Sequence, residues 1–183
     1  MAGQTGGVSR GPAVLVVMGV SGSGKTTIGT MLADRLGWRY AEGDDFHPED
    51  NVRRMAAGEP LTDDDRWPWL EAIGRWIDDR RAAGESGVVS CSALRQKYRD
   101  VLSEGRPEVR IVFLGGSREL IERRLAARRG HFMRAGMLDG QFAALEPPDP
   151  DEGAITVSID ATPAEVVDEI LGRLRPQLRP RES

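Results

Sequence analysis

GVSGSGKTT, residues 19–27, has the spacing a backbone needs to wrap a phosphate. It fits Gly-x-x-x-x-Gly-Lys-[Ser/Thr] without a gap, with Gly19, Gly24, Lys25 and Thr26 at the fixed positions. Such a loop must turn its N–H groups inward, and Gly19, Gly22 and Gly24 remove the Cβ atoms that would obstruct the turn. Ser21, Ser23 and Thr27 complete the cradle. Lys25 reaches the outer phosphates as a point charge, and the Thr26 hydroxyl suits Mg²⁺. The loop is therefore expected to hold ATP or GTP. It does not choose the acceptor, and no guanine-specifying motif accompanies it.

Asp44, in EGDDFHPEDN (42–51), has the chemistry to prepare an alcohol for attack. A kinase of that kind needs a carboxylate beside the hydroxyl, to orient it and to take its proton as transfer completes. Asp44 is expected at the end of a second strand, facing the phosphate loop, where it could also touch Mg²⁺ directly or through water. His47 and His131 lie beside candidate site segments rather than in apolar stripes. Both read as hydrogen-bonding groups for a polyhydroxylated ligand, since no Cys or His cluster has metal-ligand spacing.

Arginine concentrates in RRLAARRGHF (123–132). Arg124 and Arg128 are four apart and share one helix face. Ahead of Gly130 they suit a lid, about residues 123–142, that closes over ATP, offsets transition-state charge and excludes water. Residues 51–70 mix Arg53, Arg54 and Arg66 with Asp63, Asp64 and Asp65. A solvated loop and an ion-pair hub that shapes a pocket both fit that composition.

These residues need a frame. AVLVVM (13–18) is a β-branched run of buried-strand type, and Ile28, Met31, Leu32 and Leu36 follow at helical spacing up to Gly37. Further strands are expected over 38–44, 87–94, 109–116 and 155–160, and helices over 69–84, 95–105, 117–130 and 162–174. Residues 45–68 read as irregular, and 131–145 as helical only toward their end. Ser117 is an expected N-cap, and Thr162-Pro163-Ala164-Glu165 has capping-box spacing. Alternating strand and helix give an α/β fold, a central parallel sheet with helices on both faces and ligands at the strands' carboxyl ends.

The chain of 183 residues suits one domain, expected over 13–175 between a flexible lead-in (1–12) and a flexible tail (176–183). A net charge of −4 gives no push toward nucleic acid. The longest apolar run is strand-sized, which argues against a membrane partner, and the N-terminus lacks the apolar core of a signal peptide. The single cysteine, Cys91, excludes an internal disulfide framework and fits a reducing cytosol.

Taken together, GVSGSGKTT, GDDFHP, N-x-x-x-M-x-x-G-x-P-L-x-D-x-D-R-x-P-W-L (51–70), CSALRQKYRD (91–100), RLAARRGHF and QFAALEPP resemble the gluconokinase family, of the thermoresistant type. The resemblance spans residues 14–148. It implies a fold like that of nucleoside and shikimate kinases, a mobile lid, a homodimer and a cytoplasmic location. It also implies transfer of the γ-phosphoryl group of ATP, with Mg²⁺, to the 6-hydroxyl of D-gluconate, feeding the pentose phosphate route. By the same resemblance Lys25 and Arg124 act on the phosphates, with Arg128 on the ATP side. Asp44 orients the acceptor, and His47, Arg54, Arg99, His131 and Gln141 surround it. GDDFHP departs from the GDxLHP form expected of the family, but Asp44 and His47 keep their spacing.

Other readings make different demands. Shikimate kinases carry a Gly-Gly-Gly run where this chain has SCSAL. A nucleoside monophosphate kinase needs a pocket for an acceptor base, which nothing here suggests. A nucleotide-dependent switch would hydrolyse nucleotide whether or not a sugar acid is present.

Overall fold

The computed structural model describes residues 11–128 and 135–177. Five parallel strands form one sheet: β1 (Val14–Met18), β2 (Arg39–Glu42), β3 (Gly87–Ser90), β4 (Val109–Gly115) and β5 (Ile155–Ser158). Their spatial order is β2-β3-β1-β4-β5, so β1 is central. All five residues of β1 are buried, as its unbroken apolar run requires of a strand covered on both faces.

Among the described residues seven α-helices cross between and flank these strands: α1 (Lys25–Leu36), α2 (Glu49–Ala56), α3 (Asp63–Ala82), α4 (Gln96–Ser103), α5 (Arg118–Ala127), α6 (Ala135–Ala144) and α7 (Pro163–Gln177). On one face Ile28 and Leu32 of α1 pack with Val166, Val167 and Ile170 of α7. On the other, Trp69, Leu70, Ile73 and Ile77 of α3 pack with Tyr98 and Leu102 of α4. The alternating faces of β1 serve both layers, Leu15 and Val17 on the α1 side and Val14, Val16 and Met18 on the α3 side. Each fully buried side chain of this size contributes roughly 1.5–3 kcal/mol, so the layers fix the sheet firmly beneath its loops.

The expected cap residues act as such. The Ser117 Oγ accepts from the Leu120 amide at 3.2 Å, and the Thr162 Oγ1 from the Glu165 amide at 3.2 Å. Two expectations are corrected. Residues 45–68 are not irregular: they contain α2 and the first turns of α3. The start of α3 is set by a reciprocal cap, the Thr62 side chain accepting from the Asp65 amide while Asp65 accepts from the Thr62 amide. That cap outweighs Pro68, whose missing N–H removes one helical bond inside α3. The second strand stops at Glu42, and Asp44 lies instead in the short 3₁₀ turn Gly43–Phe46.

Candidate active site

The phosphate loop leaves β1 and enters α1 at Gly24, whose φ of 94° lies in the left-handed region that favours glycine. No side chain caps this helix, and its first internal bond runs from the Ile28 amide to the Gly24 carbonyl at 2.8 Å. The N–H groups of Lys25, Thr26 and Thr27 are thus orphan donors at a positive helix end, the arrangement that binds phosphate. The Lys25 Nζ is parked on the Val20 carbonyl at 3.1 Å. Burial pulls the Lys25 ammonium below its ordinary pKa, with Asp44 the strongest of the groups opposing that shift. A buried ammonium without a full counter-charge is a site for an anion.

Beneath the loop runs a polar network that sequence reading missed. The Thr26 Oγ1 donates to the Glu42 Oε2 at 2.7 Å, and the Tyr40 hydroxyl donates to the same oxygen at 2.8 Å. The Ser90 Oγ lies 2.8 Å from the Tyr40 hydroxyl and donates to the Lys25 carbonyl at 3.0 Å. Ser90 ends β3, beside β1, and the carboxylate at this point of the sheet is Glu42, from the neighbouring strand. With its proton directed at Glu42, Thr26 keeps an oxygen lone pair outward. That fits Mg²⁺, which takes one or two protein oxygens and fills its octahedron with phosphate and water. Among the described residues no cluster of three or more His, Cys, Asp or Glu could hold a metal without such help.

Asp44 faces Lys25 from the 3₁₀ turn. Burial raises its carboxyl above the usual range, and Lys25 is the main group pulling it back. The turn is locked from below, because the Trp69 indole N–H donates to the Gly43 carbonyl at 2.7 Å. Gly43 itself presses on β3, where a Cβ would come within 2.1 Å of the Ser90 carbonyl.

His47 stacks on Trp69 with ring centroids 4.2 Å apart and planes at 12°. Its tautomer follows from Asn51, a buried residue that sequence reading did not single out. The Asn51 Nδ2 donates to the Asp65 carbonyl at 2.7 Å and lies 3.2 Å from the His47 Nδ1. A carbonyl can only accept, so Nδ2 is the amide nitrogen, and the His47 Nδ1 must be the second acceptor. The His47 proton therefore resides on Nε2, as a donor. Burial first, and Arg66 second, push the imidazole down to about 4, so it stays neutral.

The arginines divide. Arg54 pairs with Asp65 at 3.2 Å on the rim. Arg99 is corrected: it is 1% exposed and its guanidinium is occupied by Glu152, at 2.7 and 3.1 Å, and by the Ala93 and Leu94 carbonyls. It braces the turn after β3, where Ala93 holds φ 34°, rather than presenting itself to a ligand. Gln141 is likewise turned to the phosphate loop, accepting from the Ser21 amide at 2.6 Å and donating to the Ser21 Oγ at 3.0 Å. Arg124 donates to the Ile159 carbonyl and, with Arg128, lines a cavity of about 330 Å³. The other walls include Gly24, Thr27, Ile159 and Ala161. His131 lies outside the described residues, as does the centre of the expected lid. Cys91 is buried and its thiol is pushed up to about 12, which makes it inert.

Comparison with known proteins finds relatives over most of the chain. Residues 14–148 match a family profile described as an AAA domain. The chain is 46% identical to a gluconokinase of Gluconobacter oxydans (strain 621H), over 87% of its length and 90% of that protein's. It is 43% identical to the thermoresistant gluconokinase of Escherichia coli (strain K12), with 80% and 85% covered. The crystal structure of a gluconokinase from Sinorhizobium meliloti 1021 superposes with a TM-score of 0.83, at 45% identity, covering 92% of this chain and 95% of that one.

Proposed function

The chain belongs to the gluconokinase family, and on that premise we infer that it transfers the γ-phosphoryl group of ATP to D-gluconate. We place the transfer on the 6-hydroxyl. The observation that carries the reading is the placement of Lys25 at the start of α1 and Asp44 in the turn after β2, within reach of each other's charge, one for the phosphates and one for the acceptor.

The geometry supports the following roles. The N–H groups of α1 and Lys25 hold the phosphates in line, which is most of what phosphoryl transfer asks of a protein. The base and ribose lie in the cavity beside Arg124 and Arg128. Asp44 accepts a hydrogen bond from the 6-hydroxyl. As that oxygen bonds to the γ-phosphorus and the bond to the bridging β–γ oxygen breaks, the hydroxyl proton passes to Asp44 and ADP leaves. Its raised pKa makes it a better proton acceptor than an ordinary aspartate. His47 donates from Nε2 to an acceptor oxygen. Mg²⁺, when bound, would supply charge neutralisation at the phosphates. Thr26 would hold it, and Glu42 orients Thr26.

The domain runs from 13 to 175 with its lid near 123–142, and His131 completes the acceptor pocket. The enzyme works as a cytoplasmic homodimer without nucleic-acid or membrane partners. No described helix is long and apolar enough to cross a membrane. A shikimate-type acceptor is not favoured, because SCSAL replaces the glycine run that such a pocket uses.

The test is the product. Gluconate labelled with ¹³C at carbon 6, incubated with Mg-ATP and the protein, should show a phosphorus coupling at carbon 6. A phosphorylated product whose carbon-6 signal is unsplit would overturn the regiochemistry, and free phosphate beside unmodified gluconate would indicate hydrolysis.

A further inference from the structure

We propose that Arg66 anchors the carboxylate of the acceptor, an inference that rests on the sugar-acid reading above. The acceptor side of the cleft contains several guanidiniums, but most have partners. Arg54 has Asp65, and Arg99 has Glu152. The acids nearby are equally committed. Asp63 accepts from Lys97 and from the Tyr98 hydroxyl, and Asp65 caps α3. Arg66 is left over. Among the described residues its guanidinium makes no ion pair and one hydrogen bond, a long 3.4 Å contact from Nη2 to the Leu61 carbonyl. Its Nε is buried with no partner at all. A half-buried guanidinium with unspent donors is costly unless something anionic completes it.

Its position is the right one. Arg66 and Trp69 are three apart on α3 and share a face. Trp69 stacks on His47 and holds the turn that carries Asp44. Arg66 is close enough to His47 for its charge to disfavour the imidazolium. Its guanidinium carbon sits 5.4 Å from the centre of the Tyr98 ring, and Tyr98 is itself fixed by Asp63 at 2.5 Å and by an edge contact with Trp67 at 5.8 Å. The fork is thus pre-positioned on an aromatic wall, with a neutral donor, His47 Nε2–H, beside it. A charged fork and a neutral donor suit a carboxylate followed by hydroxyls. Asp44, three residues before His47, then meets the opposite end of the sugar chain. Bidentate recognition of this kind separates an aldonate from a neutral polyol of the same length.

Steady-state kinetics of wild type, Arg66→Gln and Arg66→Lys, with gluconate and with D-glucitol, test the assignment. D-glucitol carries a hydroxymethyl group in place of the carboxylate. The Gln variant should raise the gluconate KM about 100-fold, as loss of a paired buried charge does, with the ATP KM held within about 3-fold. It should leave glucitol turnover, however slow, unchanged. The Lys variant, which keeps charge but loses the fork, should sit between the two and serves if the Gln variant does not fold. Wild-type turnover of gluconate with an unaltered KM in both variants would overturn the anchor alone. Equal losses for gluconate and glucitol would make Arg66 structural, which also overturns it. A wild type that does not turn over gluconate would overturn the acceptor reading and the anchor with it.

Discussion

Thr26 donates to Glu42 at 2.7 Å, a bond that ties the first turn of α1 to the last residue of β2. The bond makes Glu42 an orienting group for the Thr26 oxygen that faces the phosphates. Glu42→Gln keeps the size of the side chain and weakens the acceptor. It should raise the Mg²⁺ concentration needed for half-maximal rate about 10–100-fold, the usual cost of losing an outer-shell partner. Titration of activity with Mg²⁺ at saturating ATP measures it. An unchanged Mg²⁺ requirement would remove Glu42 from the metal side of the site.

Asp44 and Asp45 are adjacent, but only Asp44 opposes Lys25 strongly. Asp44→Asn should retain ATP binding and lose about 10²–10⁴-fold in kcat, the range for a general base. Asp45→Asn should stay near wild type. The reverse pattern would show that the base is one residue further along the turn.

His47 gives a pH prediction with a definite sign. Its folded pKa, about 4, lies below the unfolded value of about 6.5. The unfolded chain therefore binds the extra proton between those values. His47 adds stability in full above about pH 6.5, and that contribution is lost as pH falls toward 4. Nitrogen-detected NMR of the imidazole should show a neutral Nε2–H tautomer from pH 8 to 5. Asn51→Leu removes the donor that selects this tautomer and should allow the other to appear. A His47 that titrates near 6.5 would contradict the burial and the Asn51 contact together.

Much of this architecture was legible because its causes are local. The phosphate loop needs glycine at fixed spacings, and β1 needs an unbroken apolar run. Ser117 and Thr162 announce their helices by residue type alone. The region 45–68 was harder. Its one complete helix, α2, is short and polar, and α3 starts on a Thr-x-x-Asp cap with Pro68 within its first two turns. Glu42 stayed hidden because its role depends on β2 lying two strands away from β1. Arg99 was misjudged for a similar reason. Its partner, Glu152, is 53 residues distant, and only the folded chain shows that their charges are spent on each other.

That pairing is itself testable. Arg99 is 1% exposed, so Glu152→Gln would strand a buried cation. Urea unfolding should show a loss of about 3 kcal/mol, the lower end for breaking a buried pair. The gluconate KM of the folded fraction should change little. Undiminished stability with a raised gluconate KM would return Arg99 to the substrate.

The protein is expected to use ATP only with a sugar acid. ADP release from Mg-ATP should be measured against D-gluconate, shikimate, nucleoside monophosphates and buffer alone. Release that depends on gluconate, and vanishes in Lys25→Ala, is the predicted result. Equal release in every well would contradict it and describe a nucleotide hydrolase instead.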